Sequence, residues 1–361
     1  MGERTCATMP VHRRLLDRDP GYRVRREAIE NLILARKRGR AHRREGTTLI
    51  PVVVHVVYGT LTENISSEQV ASQIDVLNQD FGGRNSDVSS VPSIWRDAVG
   101  DARIVFNLAD RDPYGAATSG ITRRSAGIAA FGDNDAVKSA ASGGADAWPA
   151  DRYLNVWVCH LENILGYAQF PGGPTATDGV VIDYRAFGTS GTAEAPFNLG
   201  RTGTHEVGHW LSLFHIWGDD GMGCAGTDQV DDTPNQAGPN TGIPAFPHIT
   251  CDNAPNGDMF VNFMDYVDDR CMAMFTVGQV ERMHATLDGV RSSFSVEVIP
   301  QPQPTGGWSH TDLTLAAGAP EAAGNPVVAT WLDGKLCVLY LGVDHHIHVL
   351  RVTDDGTISH S

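Results

Sequence analysis

The chain has no apolar run able to cross a bilayer: the longest, Leu49 to Val57, is interrupted by His55 and falls far short of the ~20 residues a spanning helix needs. The opening stretch MGERTCATMPVHRRLLDRDP lacks the apolar centre of a secretory signal, so the expectation is either a signal lost from this sequence or a protein that stays inside. Cysteine is sparse. Six of them (Cys6, Cys159, Cys224, Cys251, Cys271, Cys337) are spread over 361 residues, which excludes a small disulfide scaffold but leaves room for a bridge or two. Basic charge is scarce once residue 46 is passed. The net charge is -15, yet residues 1–46 carry arginine-rich runs such as RVRRE and ARKRGRAHRRE. A basic arm on an acidic body is the pattern of a disordered tail, a nucleic-acid tail or a pro-segment.

What is present is an ordinary globular composition, 41% hydrophobic and 20% charged, in a chain long enough for two or more folded units. LIPVVVHVVYG reads as a β-branched strand ending at Gly59. SSEQVASQIDVLNQDF sets Val70, Ile74, Val76 and Leu77 at helical spacing behind a start at Ser66 to Glu68. RYLNVWVCHL and DGVVIDYRAF read as further strands, and THEVGHWLSLFH follows as a helix, so the layout is α+β. At residue 297 the composition shifts, and VEVIPQPQPTGGW marks residues 297–307 as a Pro/Gln/Gly linker. Within residues 308–361, GGWSHTDLT is echoed about 50 residues later by DGTISHS, with short strands between, the period and content of one propeller blade. One blade has no partner to bury its faces, so a truncated β-repeat is expected. HHIH at His345 to His348 reads as the solvated face of a strand rather than a metal cluster.

The stretch Thr204 to His215 holds the chemistry. Residues four apart on a helix lie on one face about 6 Å apart along the axis, so His205 and His209 can share an ion, with Glu206 beside them. His215 would lie some 15 Å from His205 on a continued helix, so the chain must turn between them. The pattern is H-E-x-x-H-x-x-G-x-x-H with Ser212 where glycine belongs, and serine takes a left-handed backbone at about 1 kcal/mol. Three neutral imidazoles leave zinc its charge and one open position for a water that ionises near neutrality; Glu206 is placed to take that water's proton. Further on, NFMDYVDDRCM places Tyr266 two residues after Met264.

On IPVVVHVVYG, LGYAQFPGG, THEVGHWLSLFHIWG, VDDTPNQ and GDMFVNFMDYVDDRCMAMFT, from about Ile50 to Phe294, the chain resembles a metzincin of the pappalysin (cytophagalysin) family of zinc metalloendopeptidases. The resemblance implies a metzincin-type catalytic domain over 47–296, a twisted mostly parallel sheet plus the active-site helix. It implies zinc on His205, His209 and His215, Met264 packed beneath them, Tyr266 as oxyanion donor, secretion, and protein or peptide substrates, with no nucleic acid and no membrane span. Substrate is expected to add a strand to a sheet edge, with DGVVIDYRAF the candidate. Its side-chain preference stays open between the acids Asp268 and Asp269 and the apolar Met272 and Met274. Calcium occurs in the family, and the glycine-rich GDDGMGCAGTDQVDDTP loop offers oxygen ligands, with Asp228, Asp231, Asp232 and Thr233 as the candidate set. Cys251 and Cys271 flank the Met-turn and are expected to form a bridge; Cys224 is expected to be free, because the usual partner position holds Ile243. Cys159 reads as a buried small hydrophobe. RTCATM loosely resembles the cysteine switch of other metzincins, with Ala7 where glycine is usual, so residues 1–46 are expected to be a pro-segment with Cys6 as its zinc-blocking thiol. The rival reading is a secreted binding or adhesion protein with a structural zinc domain, but a closed structural site has no use for Glu206.

Overall fold

The computed structural model describes residues 3–38 and 46–294, and beyond them only the backbone of strand residues 296–297, 328–332, 335–341, 347–352 and 358–360. Two compact units, Met1–Ile299 and Pro300–Ser361, divide the chain.

Far from being a free tail, the described part of the basic arm folds. Helix α1 (Thr8–Arg18) ends at Asp19, and α2 (Pro20–Arg38) begins with proline, whose fixed φ suits a first helical position. Asp19 Oδ1 accepts the amide of Gly21 across the join. Ala7 and Val11 sit in one apolar cluster with Val137, Leu161 and Tyr167 of the body, with Leu15 packed against it. Ile29 and Ile33 of α2 bury against Ala285. Several of its described arginines are paired within the molecule: Arg14 with Asp135 and Arg36 with Asp288 of the body, and Arg26 with Glu30 of the arm, which also accepts from Arg282 of the body. For these residues the charge asymmetry of the sequence is an intramolecular complementarity.

The sheet is organised by β1 (Thr47–Tyr58). Helix α3 (Ser67–Phe81) follows, its start capped by Ser66 Oγ accepting from the Gln69 amide. Then come β2 (Ile104–Leu108), β3 (Ile121–Ser125), β4 (Leu154–Cys159), β5 (Gly166–Ala168) and β6 (Val180–Asp183). The order is β2-β1-β4-β6-β5, with β3 paired to the second half of β1. Strand β1 runs parallel to β2, β3 and β4, and β4 runs parallel to β6. The middle of β1 is buried on both faces, which explains a near-continuous apolar run without alternation. Strand β5 is antiparallel to β6, and it lies at the edge. This corrects the expectation for DGVVIDYRAF: its strand β6 is flanked by β4 and β5 and offers no free edge. Three residues, one of them Gly166, carry too little strand propensity for β5 to stand out in the sequence.

Helix α4 (Arg201–Trp210) crosses behind β5 and β6, and β7 (Thr241–Gly242) pairs with β8 (Tyr266–Val267). Helix α5 (Val277–Asp288) opens with a reciprocal capping box between Thr276 and Gln279. Strand β9 (Val296–Glu297) then runs antiparallel to the start of β1, Thr47 opposite Glu297, so the body begins and ends at one place on its sheet. The second unit consists of β10 (Val328–Leu332), β11 (Lys335–Leu341), β12 (Ile347–Val352) and β13 (Ile358–His360), an antiparallel meander in chain order. After Glu297 the expected linker 297–307 lies outside the described residues, as do His345 and His346.

Candidate active site

Helix α4 is buried along its whole length. Asp80, from the end of α3, ties its first turns to that helix by accepting from Thr204 Oγ1 at 2.6 Å and from the guanidinium of Arg201. One turn apart, His205 and His209 face each other with 3.2 Å between their Nε2 atoms. The helix stops at Trp210, and Ser212 takes the left-handed backbone, φ 73°. Leu213 N then donates back to Gly208 O at 3.0 Å. That reversal returns His215 to the cluster, its Nε2 3.1 Å from that of His209. Ser212 is fully buried and its hydroxyl finds no hydrogen-bond partner. Glycine would remove about 1 kcal/mol of backbone strain and the ~1–3 kcal/mol of an unpartnered hydroxyl, against about 0.5–1 kcal/mol for its own looser unfolded chain. Ser212→Gly is therefore expected to raise the melting temperature; calorimetry returning a lower one would refute this account of the turn.

Each imidazole donates its Nδ1–H at 2.7 Å: His205 to the carbonyl of Phe263, His209 to that of Leu213, and His215 to Asp219 Oδ1. All three Nε2 lone pairs are thereby turned to one centre. Burial and mutual proximity push the His205 and His209 pKa values well below the ordinary range, so these rings are held neutral, as ligands must be. The donor set fits zinc: three neutral imidazoles, with the Cys6 thiol as fourth donor, all ligand atoms within 4.8 Å of one another. Among the described residues no other group of three or more His, Cys, Asp or Glu side chains converges in this way.

Cys6 reaches the centre because the arm lies along the free edge of β5. Ala7 N donates to Gly166 O at 3.0 Å and Leu165 N donates to Thr5 O at 2.9 Å, a parallel bridge. Thr8, one turn into the arm, donates from Oγ1 to Glu206 Oε2 at 2.9 Å, and Cys6 Sγ lies 3.5 Å from the same oxygen. Burial pushes Glu206 up to about 7, against the opposing hydrogen bonds from Cys6 and Thr8. A Cβ at Gly166 would come 3.0 Å from Glu206 Cγ, so the edge strand carries no side chain where the acid stands. Met264 is fully buried, and its Sδ would lie 2.6 Å from a Cβ at Gly208, so helix and Met-turn touch because position 208 has no side chain. Tyr266 stands edge-on to His215, ring centroids 5.0 Å apart. Its hydroxyl donates to Cys6 O at 3.4 Å, and burial keeps the phenol protonated.

Next to Cys6, the Arg4 side chain is 1% exposed and penetrates the body. It lies over the ring of Phe197 and donates to Thr202 Oγ1, Val267 O and the carboxylate of Asp269. Asp269 is itself fully buried and also accepts the amides of Leu199 and Arg201. Neither Arg4 nor Thr8 was legible as a site residue, since nothing in the spacing of the sequence ties the arm to a pocket.

Two cysteine expectations change, the bridge from Cys251 to Cys271 and the free Cys224. The disulfide joins Cys224 to Cys251, with Cα atoms 5.9 Å apart, not Cys251 to Cys271. Cys271 is free at the end of the short turn Asp269–Cys271. Flanking a loop in sequence does not bring two Cα atoms within the ~4.4–6.8 Å that a bridge requires. In the acidic loop, Asp232 accepts from Thr276 Oγ1 and the Gly278 amide, capping α5, and Asp228 accepts from Thr233 Oγ1 and the Val230 amide. Asp228, Asp231 and Asp232 are not drawn into one converging set.

The profile of the family described as pregnancy-associated plasma protein-A matches residues 139–288. An extracellular metalloprotease of Verticillium alfalfae is 36% identical over 250 residues, 66% of this chain and 75% of that protein. The chain belongs to the pappalysin family. A second relative, extracellular metalloprotease 1 of Coccidioides posadasii, is 30% identical and aligns over 78% of this pappalysin and 88% of its own length. The solved structure of mature Tannerella forsythia mirolysin with a cleaved peptide is 52% identical, covers 70% of this chain and 97% of its own, and superposes with a TM-score of 0.69. A variant of promirolysin from the same organism is 48% identical over 81% of this chain and 97% of its own, TM-score 0.75. This pappalysin is a zinc metalloendopeptidase with the mixed α/β metzincin fold.

Proposed function

We propose that the full chain is the latent form of a secreted endopeptidase, in which His205, His209 and His215 hold zinc, Glu206 is the general base, Tyr266 is the oxyanion donor, and residues 1–46 are the pro-segment. One observation carries the reading: the Cys6 thiol converges with the three imidazoles, all four ligand atoms within 4.8 Å of one another, where it would compete with a nucleophilic water for zinc. Bound zinc would supply an acidified water and polarise the scissile carbonyl. Glu206 takes the proton of the attacking water and hands it to the leaving amine. The Tyr266 phenol, protonated and beside His215, donates to the oxygen on which negative charge gathers. The edge of β5, used by Thr5 and Ala7, offers the same main-chain groups to an extended substrate. Promirolysin aligns over 81% of the chain and mature mirolysin over 70%; the additional 11% of 361 residues is about forty, the size of the arm.

Arg4 settles as a substrate side chain would, against a buried acid next to the site, and so favours a basic residue adjoining the scissile bond. A form beginning at Thr47 is expected to cleave quenched peptides carrying arginine or lysine there, and to lose all cleavage with a zinc chelator. In that form Asp269→Asn is expected to reduce the preference for arginine over a neutral residue by about 10- to 100-fold, the worth of a charged hydrogen bond of ~1.5–3 kcal/mol. Cleavage that survives chelation would remove the zinc reading, and an unchanged preference would remove Asp269 from the pocket.

The second unit is inferred to be dispensable for the chemistry. Because β9 must remain to pair with Thr47 and Thr48, a chain ending near Gln301 is expected to keep full peptidase activity. A soluble but inactive truncation would tie the second unit to the catalytic body.

A further inference from the structure

Two of the three histidines donate Nδ1–H to main-chain carbonyls, of Phe263 and Leu213, which the fold supplies whatever side chains stand there. His215 is different. It lies past the helix, after the Ser212 reversal, and its Nδ1 meets a side chain: Asp219 Oδ1 at 2.7 Å. Trp217 stacks flat on the His215 ring, centroids 4.3 Å apart and planes 6° apart, and this fixes the ring's tilt but not its rotation within the plane.

The backbone at Asp219 is costly for what it accomplishes locally. Asp219 takes φ 56°, directly after Gly218 at φ 73°, and a non-glycine residue in the left-handed region signals a conformation imposed by something beyond the turn. Gly218 must be glycine, since a Cβ there would fall 2.1 Å from Thr227 N. The loop's internal closure is carried by the next residue: Asp220 Oδ2 accepts the amides of Ala225 and Gly226 at 3.0 and 2.6 Å. Asp219 takes no part in that closure. Its side chain is 12% exposed, and Oδ2 is buried without a hydrogen-bond partner.

We propose that Asp219 is a positioning residue for the metal centre: by accepting the Nδ1–H of His215 it fixes the tautomer and the in-plane rotation that turn Nε2 toward the other two histidines. A carboxylate behind a ligating imidazole also raises the basicity of its free nitrogen. The inference rests on the reading of His205, His209 and His215 as zinc ligands. It makes the first residues of the acidic loop part of the metal site through a hydrogen bond rather than through a second cation.

The test uses the full chain with Asp219→Gly, Asp219→Asn and Asp220→Ala. Glycine suits φ 56° and removes only the acceptor, so folding is protected; the asparagine oxygen can still accept from Nδ1–H; Asp220→Ala loosens the loop without touching the histidine. Zinc dissociation constants are measured by competition with a chelating dye, and the visible spectrum of the cobalt-substituted protein reports ligand geometry. Asp219→Gly is expected to keep or raise the melting temperature of the zinc-free chain, to weaken zinc binding by about 10- to 100-fold, and to alter the cobalt spectrum. Asp219→Asn is expected to recover most of the loss, and Asp220→Ala to lower the melting temperature with wild-type zinc affinity. Wild-type affinity and spectrum in Asp219→Gly would overturn the proposal, as would an equal loss of affinity in Asp220→Ala. A wild-type chain without one zinc per molecule would instead overturn the ligand assignment itself, and this inference with it.

Discussion

The uncleaved Cys6→Ala chain is expected to hydrolyse peptide while the uncleaved wild type does not. Among the described residues, the thiol is the arm's one metal-ligating group that converges with the three imidazoles, and thiolate is a strong zinc ligand that would displace the water. If fewer than about one wild-type molecule in a hundred has that position free, its release corresponds to a gain of about 10²-fold. The gain should stop short of the form beginning at Thr47, because Arg4 still fills its pocket and Thr8 still holds Glu206. Initial rates on a quenched peptide, with electrophoresis showing the arm uncut, give the comparison. Equal latency of the variant and the wild type would assign the block to Arg4 and Thr8 rather than to the thiol, and a wild type as active as the short form would end the pro-segment reading.

Glu206→Gln in the form beginning at Thr47 is expected to lose about 10²- to 10⁴-fold in kcat, the range general-base catalysis contributes, with zinc content unchanged. Glutamine keeps the volume and hydrogen-bonding reach of the side chain in a pocket bounded by Gly166, yet cannot take a proton. Metal content by mass spectrometry separates the two ways the variant could fail. Loss of zinc together with activity would recast Glu206 as a ligand, and activity within a few-fold of the parent would place the base elsewhere.

The parts of this structure that were legible in the sequence are those whose signal is local. The β-branched run of β1, the helical spacing of Val70, Ile74 and Leu77, and the four-residue interval between His205 and His209 each follow from the geometry of a single element. Ser212 could be expected in a left-handed turn because a ligand at His215 demands a reversal. What escaped depends on which segments meet. Cys224 and Cys251 are 27 residues apart, and no local pattern distinguishes that pairing from Cys251 with Cys271. The edge strand was misplaced because Gly166–Ala168 is a strand by virtue of its neighbour β6 and not of its own residues. The arm was the largest gap: its arginines look solvated until Asp135, Asp269 and Asp288 are brought against them by the fold.

The docking of that arm has a consequence for the equilibrium after cleavage. Its contacts run from Arg4 to Arg36 and include Tyr22, Ile29 and Ile33, all buried. Severing the chain after Arg38 would break none of them. It would only remove the tether, which for a short linker is equivalent to a local inhibitor concentration on the order of millimolar. The severed arm would then hold the site only as tightly as its own affinity allows against the surrounding solution. For the secreted enzyme proposed above, dilution into a large volume alone would carry the equilibrium toward the open enzyme, whereas in a confined space the same cut molecule would stay closed.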